Sequence, residues 1–177
     1  MKRFFFWFLL MVASGLILSY AIGKETRKAG ELKVSSPAFE NNGSIPKKYS
    51  CDGANVNPGL LIDNTPSEAK SLALLVDDID APRGTYVHWI VWNIDPKTKE
   101  IKENSVPEGA VQGSNDFKKQ NYGGPCPPSR AHRYVFRLYA LDIRLDLDAR
   151  STKADLEKAI KGHILAQGEV IGSYKRK

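Results

Sequence analysis

Three short segments concentrate the residues that could carry chemistry. Asp78-Ile79-Asp80-Ala81-Pro82 follows the apolar run at residues 72–76, and His88 lies just inside the next apolar segment. The third segment, residues 122–128, is rich in glycine and proline and precedes His132-Arg133-Tyr134. Each polar group stands where a predicted strand begins or ends. These groups are therefore expected to meet at one end of a rigid scaffold, where binding residues usually lie.

The chemistry that this set offers is anion binding. The imidazoles of His88 and His132 can donate hydrogen bonds to phosphate oxygens, more strongly when protonated. The glycines at residues 123–124 lack a Cβ, so the loop could turn its N–H groups inward to form a concave anion site. Asp78 or Asp80 could orient an imidazole and favour its charged form. A bare carboxylate repels a dianion, so the set predicts a protonated, esterified or amine-bearing ligand.

Ordinary explanations compete for the same residues. Aspartates before a proline form turns, His88 could be a satisfied core histidine, and Tyr134 shares its periodicity with core residues. Two histidines and two aspartates also meet the ligand inventory of a divalent metal, which makes a metal-dependent hydrolase the rival enzyme class. The sequence contains neither H-E-x-x-H nor Gly-x-Ser-x-Gly. We therefore expect a binding protein with no catalysis, no metal and no cofactor.

Four segments have the composition of strands. Residues 71–76 form an apolar run, and residues 87–94 are rich in β-branched and aromatic side chains. Residues 133–140 alternate, with Tyr134 on the apolar side of the pleat. Residues 169–174 form a weaker closing strand. Glycine- and proline-rich turns between these segments favour a β-rich fold.

One helix is predicted late in the chain. Thr152 is a good N-cap, and Asp155 takes the acidic position of a capping box. An apolar stripe at helical spacing continues to Ile160, and Gly162 ends the helix. Residues 163–166 are expected to form another turn. The predicted fold class is mainly β, an antiparallel β-sandwich with a short C-terminal helix.

The first 23 residues resemble a targeting segment. Lys2 and Arg3 precede an apolar run at residues 4–18, and small residues follow before Lys24. This pattern is typical of a cleaved secretory signal, although residues 4–23 are also long enough to span a bilayer. Both readings predict export to the periplasm or the medium, with an inner-membrane anchor if the segment is not cleaved. An intact mass starting at Met1 would exclude cleavage.

The remaining sequence indicates one globular domain. The chain has 177 residues, 42% of them hydrophobic and 26% charged, so residues 24–31 are assigned to a linker and residues 32–177 to the domain. The net charge is +6, but no basic stripe with interleaved aromatics indicates nucleic acid. Cys51 and Cys126 are the two cysteines. An exported compartment would permit a single disulfide between them, and two separate buried thiols are the alternative.

In their order and spacing, these blocks resemble the phosphatidylethanolamine-binding protein family, and in detail its bacterial Raf kinase inhibitor-like (YbhB/YbcL) branch. The resemblance runs from about residue 32 to residue 176. It rests on Asp78-x-Asp80-Ala81-Pro82, His88, Gly124-Pro125, His132-Arg133-Tyr134, Cys51-Asp52-Gly53, Asn115-Asp116-Phe117, Tyr122–Pro128 and Gly172-Ser173-Tyr174.

This resemblance implies a sandwich of antiparallel sheets with a small anion pocket at one end. It implies phosphate or phosphorylated head groups as ligands, and a binding or inhibitory role toward kinases and proteases rather than catalysis. A protein-interaction module whose partner docks over the pocket is a further alternative. The residues that it implies as pocket lining are Asp78, Pro82, His88, Gly124, His132 and Tyr134.

The chain departs from the branch pattern at three places. Residues 57–62 lack the tryptophan that usually follows Cys-Asp-Gly, and Lys118 stands where glycine is common. Ser129-Arg130-Ala131 replaces a glycine-rich stretch before His132. Arg130 either adds a cation to the anion site or lies in solvent.

Overall fold

The computed structural model describes residues 29–176, and its fold is mainly β with one short helix, as predicted. The proposed signal or anchor segment, residues 1–23, and most of the linker lie outside the described residues. Among residues 29–176, no helical segment combines the length and the hydrophobicity of a transmembrane span. The elements are β1 (Gly30–Glu31), β2 (Lys33–Ser35), β3 (Gly43–Ser44), a 3-10 turn (Lys47–Tyr49), β4 (Leu60–Asp63), β5 (Ser71–Asp78), β6 (Tyr86–Ile94), β7 (Glu100–Ile101), β8 (Val111–Gln112), β9 (His132–Leu141), α1 (Lys153–Ile160) and β10 (Ile164–Tyr174).

The strands form two sheets that are not closed into a barrel. The larger sheet has the order β1-β10-β9-β5-β6-β8, with β3 also paired to β10, and the smaller has the order β2-β4-β7. The long strands β5, β6, β9 and β10 pair antiparallel, as the sequence analysis predicted. Among the described strands, the short strands β1 and β3 run parallel to β10.

Two boundaries differ from the sequence analysis. Residues 163–166 do not form another helical turn, because β10 begins at Ile164 and pairs with β9 along its length. Gly30 and Glu31, which the sequence analysis assigned to the linker, form β1 against β10. Glycines at positions 168 and 172 weakened the strand pattern, yet each allows close packing that a side chain would prevent. A Cβ at Gly172 would meet the Ile45 side chain at 2.5 Å.

Apolar side chains cover both faces of the larger sheet. One face packs against the smaller sheet, and its core includes Leu74, Trp89 and Phe136. The other face packs against α1, where Leu156 and Ile160 are buried. Strand alternation distributes neighbouring residues between the two cores. The central strand β5 is therefore buried along its whole length.

The helix begins where the capping pattern predicts. The Asp155 carboxylate accepts hydrogen bonds from the Thr152 backbone N–H at 2.9 Å and from its hydroxyl at 2.8 Å. These bonds hold the residue before the first helical turn. The helix ends at Ile160, and Gly162 follows with a positive φ of 82°, a conformation that favours glycine.

Candidate anion-binding site

A cavity of about 630 Å³ opens at one end of the larger sheet. It lies where β5 ends and where β6 and β9 begin, the end at which the sequence concentrated its polar groups. Four of the six predicted lining residues border it. The lining consists of Asp78, Ala81, Pro82, Arg83, Gly84, Thr85, Tyr86, His88, Phe117, Cys126, Pro128 and His132.

Antiparallel pairing between β5 and β9 brings the aspartate to the histidine. Asp78 is paired with Tyr134 across the two strands, so His132 projects beyond the strand end on the same face. The Nδ1 atom of His132 lies 2.7 Å from Oδ2 of Asp78, and both side chains are buried. Because a carboxylate only accepts, Nδ1 of His132 carries the hydrogen and Nε2 is left for a ligand.

A β-bulge directs His88 to this cavity. Val76 pairs with Trp89 and Asp77 pairs with Val87, so His88 is an extra residue in β6. Regular alternation would place His88 on the same face as Ile90, toward the helix. The bulge instead turns the ring to the face that carries Tyr134, and bulges commonly re-aim side chains in this way.

Aromatic rings and one carbonyl fix the His88 ring. Its centroid lies 5.1 Å from that of Tyr134, 5.2 Å from Phe117 and 5.6 Å from Tyr86, all in edge-on contacts. Nδ1 of His88 lies 2.6 Å from the Gly123 carbonyl oxygen. The carbonyl can only accept, so the hydrogen is on Nδ1. Burial lowers the pKa of His88 below its ordinary value of 6.5, against the opposing effects of that carbonyl and of Asp78.

Tyr134 lies beneath the cavity rather than on its surface. Its ring is fully buried, and its hydroxyl has no hydrogen-bond partner among the described residues. Burial raises the pKa of Tyr134, and the neighbouring Asp78 carboxylate raises it further. An unpartnered buried hydroxyl carries a desolvation cost, which a ligand oxygen or a bound water would relieve.

The glycines of the loop do not act as the sequence analysis expected. Neither turns an N–H group into the cavity: the Gly123 N–H donates to the His88 carbonyl, and the Gly124 N–H donates to Asn55 at 2.7 Å. Gly124 is needed for close packing instead, because a Cβ there would run into the Tyr49 carbonyl and meet Asn55 Oδ1 at 2.6 Å. Gly124 therefore allows the loop to pack closely against Tyr49 and Asn55. The prediction that the loop N–H groups form a concave anion site was wrong.

Cys51 and Cys126 form a disulfide. Their Cα atoms lie 5.4 Å apart, and the Cys51 N–H also donates to the Pro125 carbonyl. The Tyr122 hydroxyl donates to the Tyr49 carbonyl in the same region. These contacts join the loop that carries Cys126 to the segment around the 3-10 turn, and they hold one wall of the cavity.

Cationic groups lie at the mouth of the cavity. Asp80 accepts three hydrogen bonds from Arg133, two from the guanidinium and one from the backbone N–H, and these bonds lower the pKa of Asp80. Asp80 is therefore occupied by Arg133, whereas Asp78 faces the ligand space. Arg83 lines the cavity, and Arg130 is exposed and close enough to lower the pKa of Asp80 further. The mouth is thus more positive than its two aspartates suggest.

Sequence reasoning missed Asn115 and Asp116, which hold the start of β6. Buried Asn115 donates to the His88 carbonyl and to the Asn121 carbonyl. Asp116 accepts from the Val87 N–H at 2.7 Å. The only signal was their place in the Asn115-Asp116-Phe117 motif, and both act through the backbone of the bulge.

The described residues contain no cluster of three or more His, Cys, Asp or Glu side chains arranged to hold a metal ion. A second cavity of about 560 Å³ lies near Lys47, Asp52 and Lys175, and none of the predicted site residues borders it.

Comparisons with known proteins agree on one family. A family model described as phosphatidylethanolamine-binding protein matches residues 35–175. A UPF0098 protein of Methanothermobacter thermautotrophicus is 47% identical over 150 residues, which cover 82% of this chain and 99% of that protein. Because this relative is archaeal, the resemblance extends beyond the bacterial branch.

Two solved structures have the same fold. The putative phosphatidylethanolamine-binding protein homolog CT736 of Chlamydia trachomatis has a TM-score of 0.80 and 40% identity, covering 84% of this chain and 100% of that one. YbcL of E. coli, described as a new member of the mammalian family, has a TM-score of 0.78 and 29% identity with the same coverage. The chain belongs to the phosphatidylethanolamine-binding protein family.

Proposed function

We propose that this protein binds a small phosphate-like anion, or a phosphorylated head group, in the cavity bordered by Asp78, His88 and His132, and that it performs no catalysis. The observation that carries the proposal is the approach of two imidazoles from different strands to one cavity. In each ring Nδ1 is used by the protein, and Nε2 has no hydrogen-bond partner among residues 29–176.

The groups around the cavity suit an anion of low charge. A protonated His132 is balanced by Asp78, so its Nε2–H can donate to an anionic oxygen without leaving an isolated buried cation. Arg83, at the mouth of the cavity, supplies a further donor.

Export and a protein target belong to the same proposal. Lys2, Arg3 and the apolar run that follows support export. A kinase or protease docked over the cavity end would make the protein an inhibitor. Capture of a partner from envelope extract by the wild-type protein but not by His88→Ala would support such a target. Capture that is indifferent to His88→Ala would place the interface elsewhere.

NMR titration tests the proposed binding. Phosphate and phosphoethanolamine are added to the isotope-labelled domain, and backbone and imidazole resonances are followed. We expect shift changes confined to the surroundings of His88 and His132, with a dissociation constant that increases about tenfold or more in His88→Ala, the loss expected for one charged hydrogen bond.

His163→Ala is the matched control. His163 also has its Nδ1 against a carboxylate, that of Asp142 at 2.8 Å, but it lies at the opposite end of β9 and β10. Its removal should leave binding unchanged. Shift changes centred on Lys47 and Lys175, or no changes at millimolar anion, would refute the proposal.

A further inference from the structure

We propose that the cavity selects phosphate monoesters that carry a P–OH group, because Nε2 of His88 accepts a hydrogen bond and a phosphodiester has no hydrogen to donate. This inference rests on the proposed anion binding and narrows its ligand class. The inference distinguishes phosphate monoesters from most phospholipid head groups, because most of those head groups are phosphodiesters.

The tautomer of His88 is the first step. The Gly123 carbonyl lies 2.6 Å from Nδ1 and can only accept, so a neutral His88 has its single hydrogen on Nδ1. Nε2 then presents a lone pair. His88 is 3% exposed and its ring lies among three aromatic rings, surroundings that penalise a second proton on the imidazole.

The two imidazoles therefore have unlike roles. We assign the donor role to His132, because the Asp78 carboxylate, 2.7 Å from its Nδ1, offsets the positive charge of a ring that also carries a hydrogen on Nε2. His88 offers an acceptor to the same ligand. A monoester monoanion matches both groups, with one oxygen accepting from His132 and its P–OH donating to His88. A diester of the same charge would bring an oxygen lone pair against the lone pair of Nε2.

The charged and titratable groups around His88 support the same assignment. Burial lowers the pKa of His88, and this effect exceeds the opposite effects of the Asp78 and Asp116 carboxylates. No cation lies in direct contact with the ring among the described hydrogen bonds. The groups facing His88 are Asp78 on β5, His132 and Tyr134 on β9, Asp116 after β8, Tyr86 at the start of β6 and Arg83 in the loop before β6.

Methyl phosphate and dimethyl phosphate form the decisive pair. At pH 5.5 both are mainly monoanions, since the second pKa of a phosphate monoester is about 6, but only methyl phosphate carries P–OH. We expect methyl phosphate to bind at least about tenfold more tightly at pH 5.5, the effect of one strong hydrogen bond gained or lost. The affinity for methyl phosphate should decrease above pH 7, because the monoester then loses the hydrogen of its P–OH group. It should also decrease at acid pH, once His88 is protonated.

His88→Gln tests the acceptor role. The glutamine amide can donate as well as accept. The ratio of the affinities for methyl phosphate and dimethyl phosphate should therefore fall toward 1 in His88→Gln, whereas His163→Gln should preserve the wild-type ratio. If His88→Gln does not fold, ¹⁵N NMR of the wild-type imidazoles gives the same answer. Bare Nε2 on His88 in the methyl phosphate complex supports the proposal, and a hydrogen on that nitrogen overturns it.

The ester source is resolved with vesicles. Phosphatidic acid in phosphatidylcholine carries an anionic monoester on a lipid, and phosphatidylglycerol in phosphatidylcholine carries an anionic diester. Binding of methyl phosphate, or of phosphatidic acid, without binding of the matched diester supports the proposal. Equal binding of both esters overturns it while leaving anion binding intact, and binding of neither ester refutes the proposed function itself.

Discussion

At the scale of single residues, the site depends on hydrogen-bond direction more than on residue type. Asp78, His88 and His132 could be named from the sequence because polar groups at strand ends converge in a sandwich. Their roles could not, since alternation places His88 on the wrong face and only the bulge corrects it. Asp80 and Asp78 look equivalent in sequence, yet one is occupied by Arg133 and the other by His132.

Gly124 gives a prediction at this scale. In Gly124→Ala the new Cβ would run into backbone and amide oxygens that cannot move freely. We expect a loss of about 1–3 kcal/mol in the free energy of unfolding, as for other overpacked sites, and weaker anion binding because the loop moves. Urea denaturation measures the first effect and NMR titration the second.

Gly30→Ala is the comparison for that substitution. A Cβ at Gly30 would lie 3.4 Å from the Ala166 Cβ, an ordinary contact. The free energy of unfolding of this variant should lie within about 0.5 kcal/mol of the wild-type value. Equal stability of Gly124→Ala and the wild type would show that the loop does not pack as described.

At the scale of elements, the end of β5 carries adjacent aspartates that face opposite sides of the sheet. Asp78 points into the cavity, and the adjacent Asp77 points toward α1. Asp77 is 1% exposed, and its Oδ2 accepts from Nζ of Lys153 at 2.7 Å. Its other oxygen has no partner among the described residues. Sequence patterns could not predict this ion pair, because its partners are 76 residues apart.

Lys153→Ala should destabilise the protein in a pH-dependent manner. Burial raises the pKa of Asp77 above its ordinary value of 3.8, and Lys153 opposes that rise. Removing Lys153 leaves a buried, unpaired carboxylate at pH 7. We expect a loss of roughly 2–3 kcal/mol, below the range for fully buried pairs, since the Lys153 side chain keeps 22% exposure.

The loss should shrink as the pH falls. Because folding raises the pKa of Asp77, the folded state binds a proton more readily than the unfolded state does. The free energy of unfolding therefore increases as the pH falls toward the pKa of Asp77. Urea denaturation of Lys153→Ala at pH 7 and pH 5 measures the difference. Lys158→Ala, on the exposed side of α1, should change little, within about 0.5 kcal/mol. A pH-independent loss in Lys153→Ala would contradict this account of Asp77.

At the scale of the whole molecule, the site exists because distant segments meet. The cavity takes residues from β5, β6, β9 and two loops, and the disulfide joins positions 75 residues apart. Periodicity predicted the long strands and α1, since the apolar pattern of each is local. It could not predict the short strands or the full length of β10, which depend on pairing partners elsewhere in the chain.

A crystal structure of the domain grown or soaked with phosphate tests the central claim most directly. The account predicts one phosphate in the cavity, with its oxygens at hydrogen-bond distance, about 2.7–3.1 Å, from Nε2 of both His88 and His132. A phosphate that contacts neither imidazole, or a cavity that stays free of phosphate at saturating concentration, would contradict it.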